Sequence, residues 1–345
     1  MRVAVLTRDY PPAVGGIATH VEGLVRALRD KGVDVDLFVG THDVKTLLLP
    51  FDMPLKRYDL VHVQSLPYGA FVFDVPLVVT VHSPVLEEFD HYRDVMKLAS
   101  FPAIALEKMS LFKAKAVLAV SDQSKEDLTG AYGLDEKDVE VIGNGVDYQR
   151  FAGPRAPADP ASAKRVLVVS RLEPRKNVEE AIDAIAELRK GACELEIVGD
   201  GSEMESLLKR SERARAEGSV HFLGRVDGTS LPEVYARSAI FLTTSRSEGF
   251  GLSLLEAMAS GCACVASDIP THRALIRHGE TGLLYGRRAE LVSSLLELLS
   301  SPDRAERMGR AAREAASSHT WAKVAERVKT AYEGVVSGKA AGASR

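Results

Sequence analysis

Two glutamates, Glu248 and Glu256, bracket a glycine-bearing segment, Ser245-Arg-Ser-Glu-Gly-Phe-Gly-Leu-Ser-Leu-Leu-Glu-Ala-Met-Ala-Ser-Gly261. From about Leu252 to Ser260, the residues Leu254, Leu255, Met258 and Ala259 recur at helical spacing, and Gly261 is placed to close the helix as a left-handed cap. A loop holding Gly249 and Gly251 therefore runs into a helix start. Such a start leaves backbone N–H groups unpaired, and with the helix dipole it forms a site for an anion. Acids in the first turns of helices are favoured on electrostatic grounds alone, so Glu256 by itself says little. A second charged pair, Arg171 and Lys176, lies in the loop Ser170-Arg-Leu-Glu-Pro-Arg-Lys-Asn177. A helix follows, with Asn177 at the cap position and Glu180 three residues on. Two cations beside a helix start suit a diphosphate. Read alone, this loop is equally an ordinary solvated basic loop.

The Glu–seven residues–Glu spacing around Gly-Phe-Gly-Leu resembles the family-4 retaining glycosyltransferases, whose GT-B fold consists of two Rossmann-like open parallel-sheet domains facing a cleft. The resemblance implies that Glu256 holds the ribose hydroxyls of a nucleotide-sugar donor and that Glu248 lies against the donor sugar. It implies that the Gly251–Leu252 amides meet the diphosphate, with Gly249 and Phe250 in the same turn, and that Arg171 and Lys176 bind the donor phosphates. The turn Gly224-Arg225 would read the base, largely through backbone groups. In the first half, Gly15-Gly16 would face the phosphates and acceptor, and His82 of Thr80-Val-His-Ser83 would approach the donor sugar. Asn144-Gly-Val-Asp147 resembles the segment before the family's hinge, and the final amphipathic helix resembles the one that crosses back onto the first domain. No essential metal or other cofactor is expected.

The elements that must position these residues follow an α/β alternation in both halves. Val3–Thr7 and Val33–Val39 read as buried parallel strands around a helix from about Thr19, with Val21, Leu24, Val25 and Leu28 on one face. Tyr58–Val63, Leu77–Val81 and Ala116–Val120 continue the first sheet, and the segment from Val139 to Asp147 ends the first domain. Gly153–Ser162 is rich in Pro and Ala and reads as a linker. The expected division is 1–153 and 154–319, with a helix at about 320–337 belonging to the first domain. Strands at Arg165–Val169, Leu195–Val198, Val220–Leu223, Ala239–Thr244, Cys264–Ala266 and Gly282–Tyr285 build the second.

Composition narrows the function classes. The 345 residues are 46% hydrophobic, which suits a globular core and about two domains. The net charge of −4 argues against nucleic-acid binding. Up to Gly153 there are 16 Lys and Arg against 22 Asp and Glu; beyond it there are 28 against 26. The half with the basic loop thus carries the slight positive surplus. Three cysteines, Cys193, Cys262 and Cys264, cannot make a disulfide framework and read as buried small side chains. No signal peptide and no membrane span is visible, so a cytoplasmic location is expected. The stretch Glu87–Lys115 is helical in pattern and interrupted at Pro102. It reads as a surface helix pair; the alternative is peripheral contact with the inner face of a membrane, for a lipid-linked acceptor.

Two other chemistries fit the sequence less well. A dinucleotide-binding domain wants G-x-G-x-x-G in the first loop and an acid ending the second strand; here the loop has only Gly15-Gly16 and the strand ends Phe38-Val-Gly-Thr41. Asp34-Val-Asp36 matches the Asp-x-Asp metal signature of another glycosyltransferase fold, but it sits at a strand start, whereas ligands in such sheets bind at carboxyl ends. The reading is a retaining, metal-independent glycosyltransferase that moves a sugar from a UDP- or GDP-sugar to a glycan, lipid-linked or small-molecule acceptor. A sugar-nucleotide 2-epimerase of the same fold and a catalytically silent nucleotide-sugar-binding subunit are its rivals.

Overall fold

The computed structural model describes residues 1–11, 13, 15–40, 49–64, 66–82, 94–153, 164–188, 191–214, 216 and 218–338. The chain forms two compact units, Met1–Gly145 together with Trp321–Arg345, and Val146–Thr320. The division falls at Gly145/Val146 rather than Gly153. The reason is packing: Val146 and Phe151 are buried in the core of the second unit, with the Phe151 ring edge-on to Tyr235 at 5.7 Å. The linker expected at Gly153–Ser162 lies almost wholly outside the described residues.

The first unit holds strands β1 (Arg2–Thr7), β2 (Asp34–Val39), β3 (Leu60–Val63), β4 (Leu77–Val81), β5 (Ala116–Ala119) and β6 (Val139–Val141), in the order β2-β1-β3-β4-β5-β6. All neighbours are parallel. Val3 to Leu6 are wholly buried, as a strand covered on both faces requires. The helix Gly16–Asp30 buries Val21, Leu24, Val25 and Leu28, each such side chain stabilising by about 1.5–3 kcal/mol. It begins at Gly16 and not near Thr19, because Gly15 supplies the turn as its N-cap residue. The helix Asp94–Lys113 runs through Pro102 without a break. The expected residues 87–93 of that stretch lie outside the described ones.

The final helix, Trp321–Val336, packs on the Gly16–Asp30 helix through Trp321, where a Cβ at Gly23 would fall 2.2 Å from the indole. Lys31 pairs with Glu326 along the same contact.

The second unit holds β7 (Arg165–Val169), β8 (Glu194–Val198), β9 (Val220–Gly224), β10 (Ile240–Thr243), β11 (Ala263–Ser267) and β12 (Leu283–Tyr285). Read from the other edge, its order is β9-β8-β7-β10-β11-β12, the doubly wound order of Rossmann sheets, and all pairs are parallel. Alternate residues feed two cores. Val166, Val168, Ile240, Leu242 and Val265 enter one, and Leu167, Phe241, Cys264 and Ala266 enter the other. Cys262 and Cys264 share the second core, and all three cysteines are buried thiols.

Candidate active site

In a doubly wound sheet, ligands bind beyond the carboxyl ends of the strands where the strand order reverses. In the second unit that point lies between β7 and β10. The loop after β7 carries Arg171 and Lys176; the loop after β10 carries Glu248 and leads into the helix Leu252–Ala259. Adjacent strands therefore bring together residues far apart in sequence. Lys176 Nζ donates to Glu248 Oε1 at 2.6 Å, with the two side chains only 10% and 9% exposed. Burial pulls the Lys176 ammonium below its usual range against the attraction of Glu248. Burial alone would raise the Glu248 carboxyl, but Lys176 and the Ser245 hydroxyl, which donates at 2.7 Å, hold it below the usual range. Arg175 lies 3.7 Å from its other oxygen.

Arg171 is half exposed and pairs with Glu173 at 2.7 Å. Asn177 stands at the N-cap of the helix Val178–Glu187, but in a left-handed conformation that turns its side chain away from the cap. Its amide donates to Glu180 at 2.6 Å and its oxygen accepts from Arg246, so the capping box expected there does not form.

Gly251 is the N-cap of the helix Leu252–Ala259 at φ 90°, a backbone that glycine adopts cheaply, and no side chain caps this helix. Phe250 packs partly against the core beneath it. Four residues into the helix, Glu256 accepts from the Tyr235 hydroxyl at 3.0 Å. Burial pushes its carboxyl up to about 7, against the Tyr235 hydrogen bond and the Arg150 guanidinium. Arg150 itself donates to the carbonyl of Gly228. Gly224 ends β9 at φ 65°, and the exposed Arg225 pairs with Asp200 at 3.3 Å.

In the first unit, the strand order reverses between β1 and β3. Gly15 and Gly16 follow β1, and His82 follows β4. His82 Nε2 is 2.9 Å from Gln64 Oε1, and its ring meets that of His20 edge-on at 4.7 Å. His20 Nδ1 is 2.7 Å from Asn144 Oδ1. Asp34 and Asp36 sit at the amino end of β2, where Arg2 lies 3.6 and 2.7 Å away and the Tyr58 hydroxyl donates to Asp36.

Sequence reasoning did not single out Tyr235, Ser245, Arg175, Gln64 or His20. Gln64 had a legible signal, since it ends a strand pattern in an open sheet. Tyr235 had none, because its contact with Glu256 spans two helices.

Two doubly wound parallel sheets with polar residues at their carboxyl ends define the GT-B class of glycosyltransferase. Residues 154–315 match the family Glycosyl transferases group 1, and residues 45–150 match Glycosyltransferase Family 4. The chain belongs to the family-4 GT-B glycosyltransferases. It is 29% identical to alpha-maltose-1-phosphate synthase of Mycobacterium tuberculosis, over 97% of this chain and 100% of that protein. Its fold is similar to sucrose-phosphate synthase from Thermosynechococcus elongatus, with TM-score 0.84 and 22% identity over 98% and 99% of the two chains. It is likewise similar to Anabaena HepE in complex with UDP-glucose, with TM-score 0.77 and 23% identity over 96% and 98%. No helix among the described residues is long and apolar enough to cross a membrane.

Proposed function

We propose that the protein transfers a sugar, with retention of anomeric configuration, from a nucleotide diphosphate donor to a hydroxyl acceptor, without an essential metal. What supports this most is the meeting of the β7 and β10 loops at the switch point, which joins Lys176, Glu248 and the uncapped helix start at Gly251. The similarity to a HepE structure holding UDP-glucose makes UDP-glucose the first donor to test. In this reading Arg171, Lys176 and the amides at Gly251–Leu252 neutralise the diphosphate, and Glu256 accepts from the ribose hydroxyls. Gly224 and Arg225 border the base, while Glu248 and His82 attend the donor sugar. Gly15 and Gly16 serve the transfer step.

During transfer the bond from sugar C1 to the diphosphate oxygen breaks, and its electron pair stays on the phosphate. The acceptor oxygen bonds to C1 on the same face, and its proton passes to a phosphate oxygen. Charge grows on the leaving group, so preorganised cations and amides act mainly on the transition state. UDP release from UDP- and GDP-sugars with a panel of acceptors tests the activity, and the H1–H2 coupling of the product reads its configuration. An inverted product removes the retaining mechanism. Abrupt loss in EDTA, restored by manganese, removes metal independence and returns attention to Asp34 and Asp36. Donor turnover to a 2-epimer without acceptor favours the epimerase instead.

A second observation bears on the acceptor. Phe101, Met109 and Phe112 are exposed at helical spacing on Asp94–Lys113, with Lys108 over the Phe112 ring. Phe51 and Phe73 are also exposed and meet each other, and Lys113 of the same helix sits over Phe73 at 3.8 Å. Exposed aromatic rings interleaved with lysines fit the surface of an anionic bilayer. Co-sedimentation with anionic vesicles, lost in Phe101→Ser/Phe112→Ser, supports a lipid-borne acceptor; equal recovery with and without vesicles removes it.

A further inference from the structure

Behind His82 lies a chain of polar side chains that crosses the first unit from the sheet to the final helix. Tyr332 Oη is 2.6 Å from His62 Nδ1, and His62 Nε2 is 2.7 Å from Thr80 Oγ1. Gln64 Nε2 is 3.2 Å from the same His62 nitrogen, and Gln64 Oε1 is 2.9 Å from His82 Nε2. His62, Thr80 and Tyr332 are wholly buried and Gln64 nearly so. Gln64 stands at the carboxyl end of β3, where the strand order reverses.

The donor and acceptor rules of these groups propagate along the chain. With the Gln64 amide oriented so that its oxygen faces His82, its nitrogen donates to His62 Nε2, which then accepts and carries no proton. Neutral His62 is then protonated on Nδ1 and donates to Tyr332. The Gln64 oxygen only accepts, so His82 Nε2 must carry a proton. Neutral His82 then has a bare Nδ1, which makes no hydrogen bond among the described residues.

We infer that Gln64, held by a His62 ring that Thr80 and Tyr332 fix in turn, is a positioning residue that sets His82 as the Nε2–H tautomer, leaving Nδ1 as an acceptor for a sugar hydroxyl. The hydroxyl partner rests on the role proposed for His82; the tautomer does not. Burial keeps these rings neutral: it drives His20 to about 4 and His62 to about 3, and it holds His82 well below the usual range, with His20 and His62 adding to the effect. Tautomer, not charge, is thus the variable available at neutral pH. A neutral imidazole free to exchange tautomers would offer a donor where the hydroxyl needs an acceptor.

Long-range 1H–15N correlation spectra of protein labelled at its nine histidines read the tautomers directly, with His62 and His82 identified through His→Asn variants. The expected result is Nε2–H at His82 and Nδ1–H at His62. The reverse polarity, with a bare Nε2 at His82, overturns the inference. Gln64→Leu should mix the His82 tautomers. Gln64→Glu, which keeps an acceptor beside Nε2, should preserve the wild-type tautomer and move titration of His82 upward. An unmixed Nε2–H signal in Gln64→Leu also overturns it. Gln64→Leu should slow single-turnover transfer about tenfold with nucleotide affinity unchanged. Tautomer mixing with an unchanged rate removes His82 from the transfer step but confirms the control by Gln64.

Discussion

Lys176 and Glu248 form a nearly buried ion pair, 2.6 Å apart, between loops that follow adjacent strands of the second sheet. Desolvating both charges costs several kcal/mol, which their mutual attraction offsets only with further partners. Glu248 has such partners in Ser245 and Arg175. The pair is therefore lopsided: the carboxylate is supported from three sides, whereas among the described residues Glu248 is the one carboxylate set against the Lys176 ammonium.

Removal of either partner should expose this asymmetry. Glu248→Gln strands a buried ammonium beside Arg175 and should destabilise the second unit by about 3 kcal/mol. Lys176→Met should cost less, because Ser245 and Arg175 remain on Glu248. In nucleotide binding the order reverses. Lys176→Met should lose about 1.5–3 kcal/mol of diphosphate affinity, the scale of a charged hydrogen bond, while Glu248→Gln should lose none. Urea unfolding followed by far-UV circular dichroism and calorimetry on UDP measure the two orders. Equal effects of both variants in both assays would contradict them.

Glu256 should couple nucleotide binding to pH. In the folded protein it keeps its proton up to about pH 7, whereas the unfolded chain releases it near 4.5. The folded state thus binds more protons between those values. The stability this group contributes is full below pH 4.5 and is lost as pH rises to 7, a change of up to about 3 kcal/mol. Glu256→Gln should remove that slope. In the role proposed for it, the ionised carboxylate accepts from the ribose hydroxyls, so UDP affinity should fall about tenfold from pH 8 to pH 6. Titration calorimetry in buffers of different ionisation enthalpy should show proton release near neutrality, absent in Glu256→Gln.

Substitution at Gly15 should separate binding from transfer. Its φ of 153° favours glycine, and a Cβ there would meet nothing within 4 Å, so conformation rather than space holds it. Gly15→Val should slow single-turnover transfer by a hundredfold or more, for about 3 kcal/mol of lost transition-state contact. UDP affinity, assigned to the second unit, should change little. A parallel fall in both would show that this loop helps hold the ground state.

Gly23→Ala sets two effects against each other. Alanine in a helix interior gains about 1 kcal/mol over glycine. The added Cβ would fall 2.2–2.5 Å from the Trp321 ring, and overpacking of this kind costs about 1–3 kcal/mol. The clash should win, because Trp321 is 6% exposed and packed against His20 of the helix that carries Gly23 and against Gly145. Trp321 is the single tryptophan, so its emission should shift and report earlier unfolding of the first unit.

Much of this molecule was legible in its sequence because the signals were local. Apolar runs such as Val3–Leu6 and Leu195–Val198 marked strands buried on both faces, and Gly251 and Gly261 marked the two ends of one helix. The charged residues at the carboxyl ends of β7 and β10 could be found by type and spacing, and so could the family they resemble. The unit boundary was misplaced because the Pro/Ala-rich composition after Gly153 is a stronger local signal than the burial of Val146 and Phe151, which depends on a core built from later strands.

What the sequence could not contain was distance between residues far apart in the chain. The sequence supplied Lys176 and Glu248 as separate charges; the strand order β7-β10 made them an ion pair, and a buried pair has energetics that neither residue has alone. The neutral tendency of Glu256 comes from its burial beside Tyr235, a neighbour chosen by helix packing. The order of proton positions from Tyr332 to His82 exists only because a C-terminal helix closes against the first sheet. Residue types and periodicity determine which elements form and which chemistry is available. Desolvation and hydrogen-bond partners depend on contacts across the fold, so only the tertiary structure decides the charge and tautomer in which that chemistry is held.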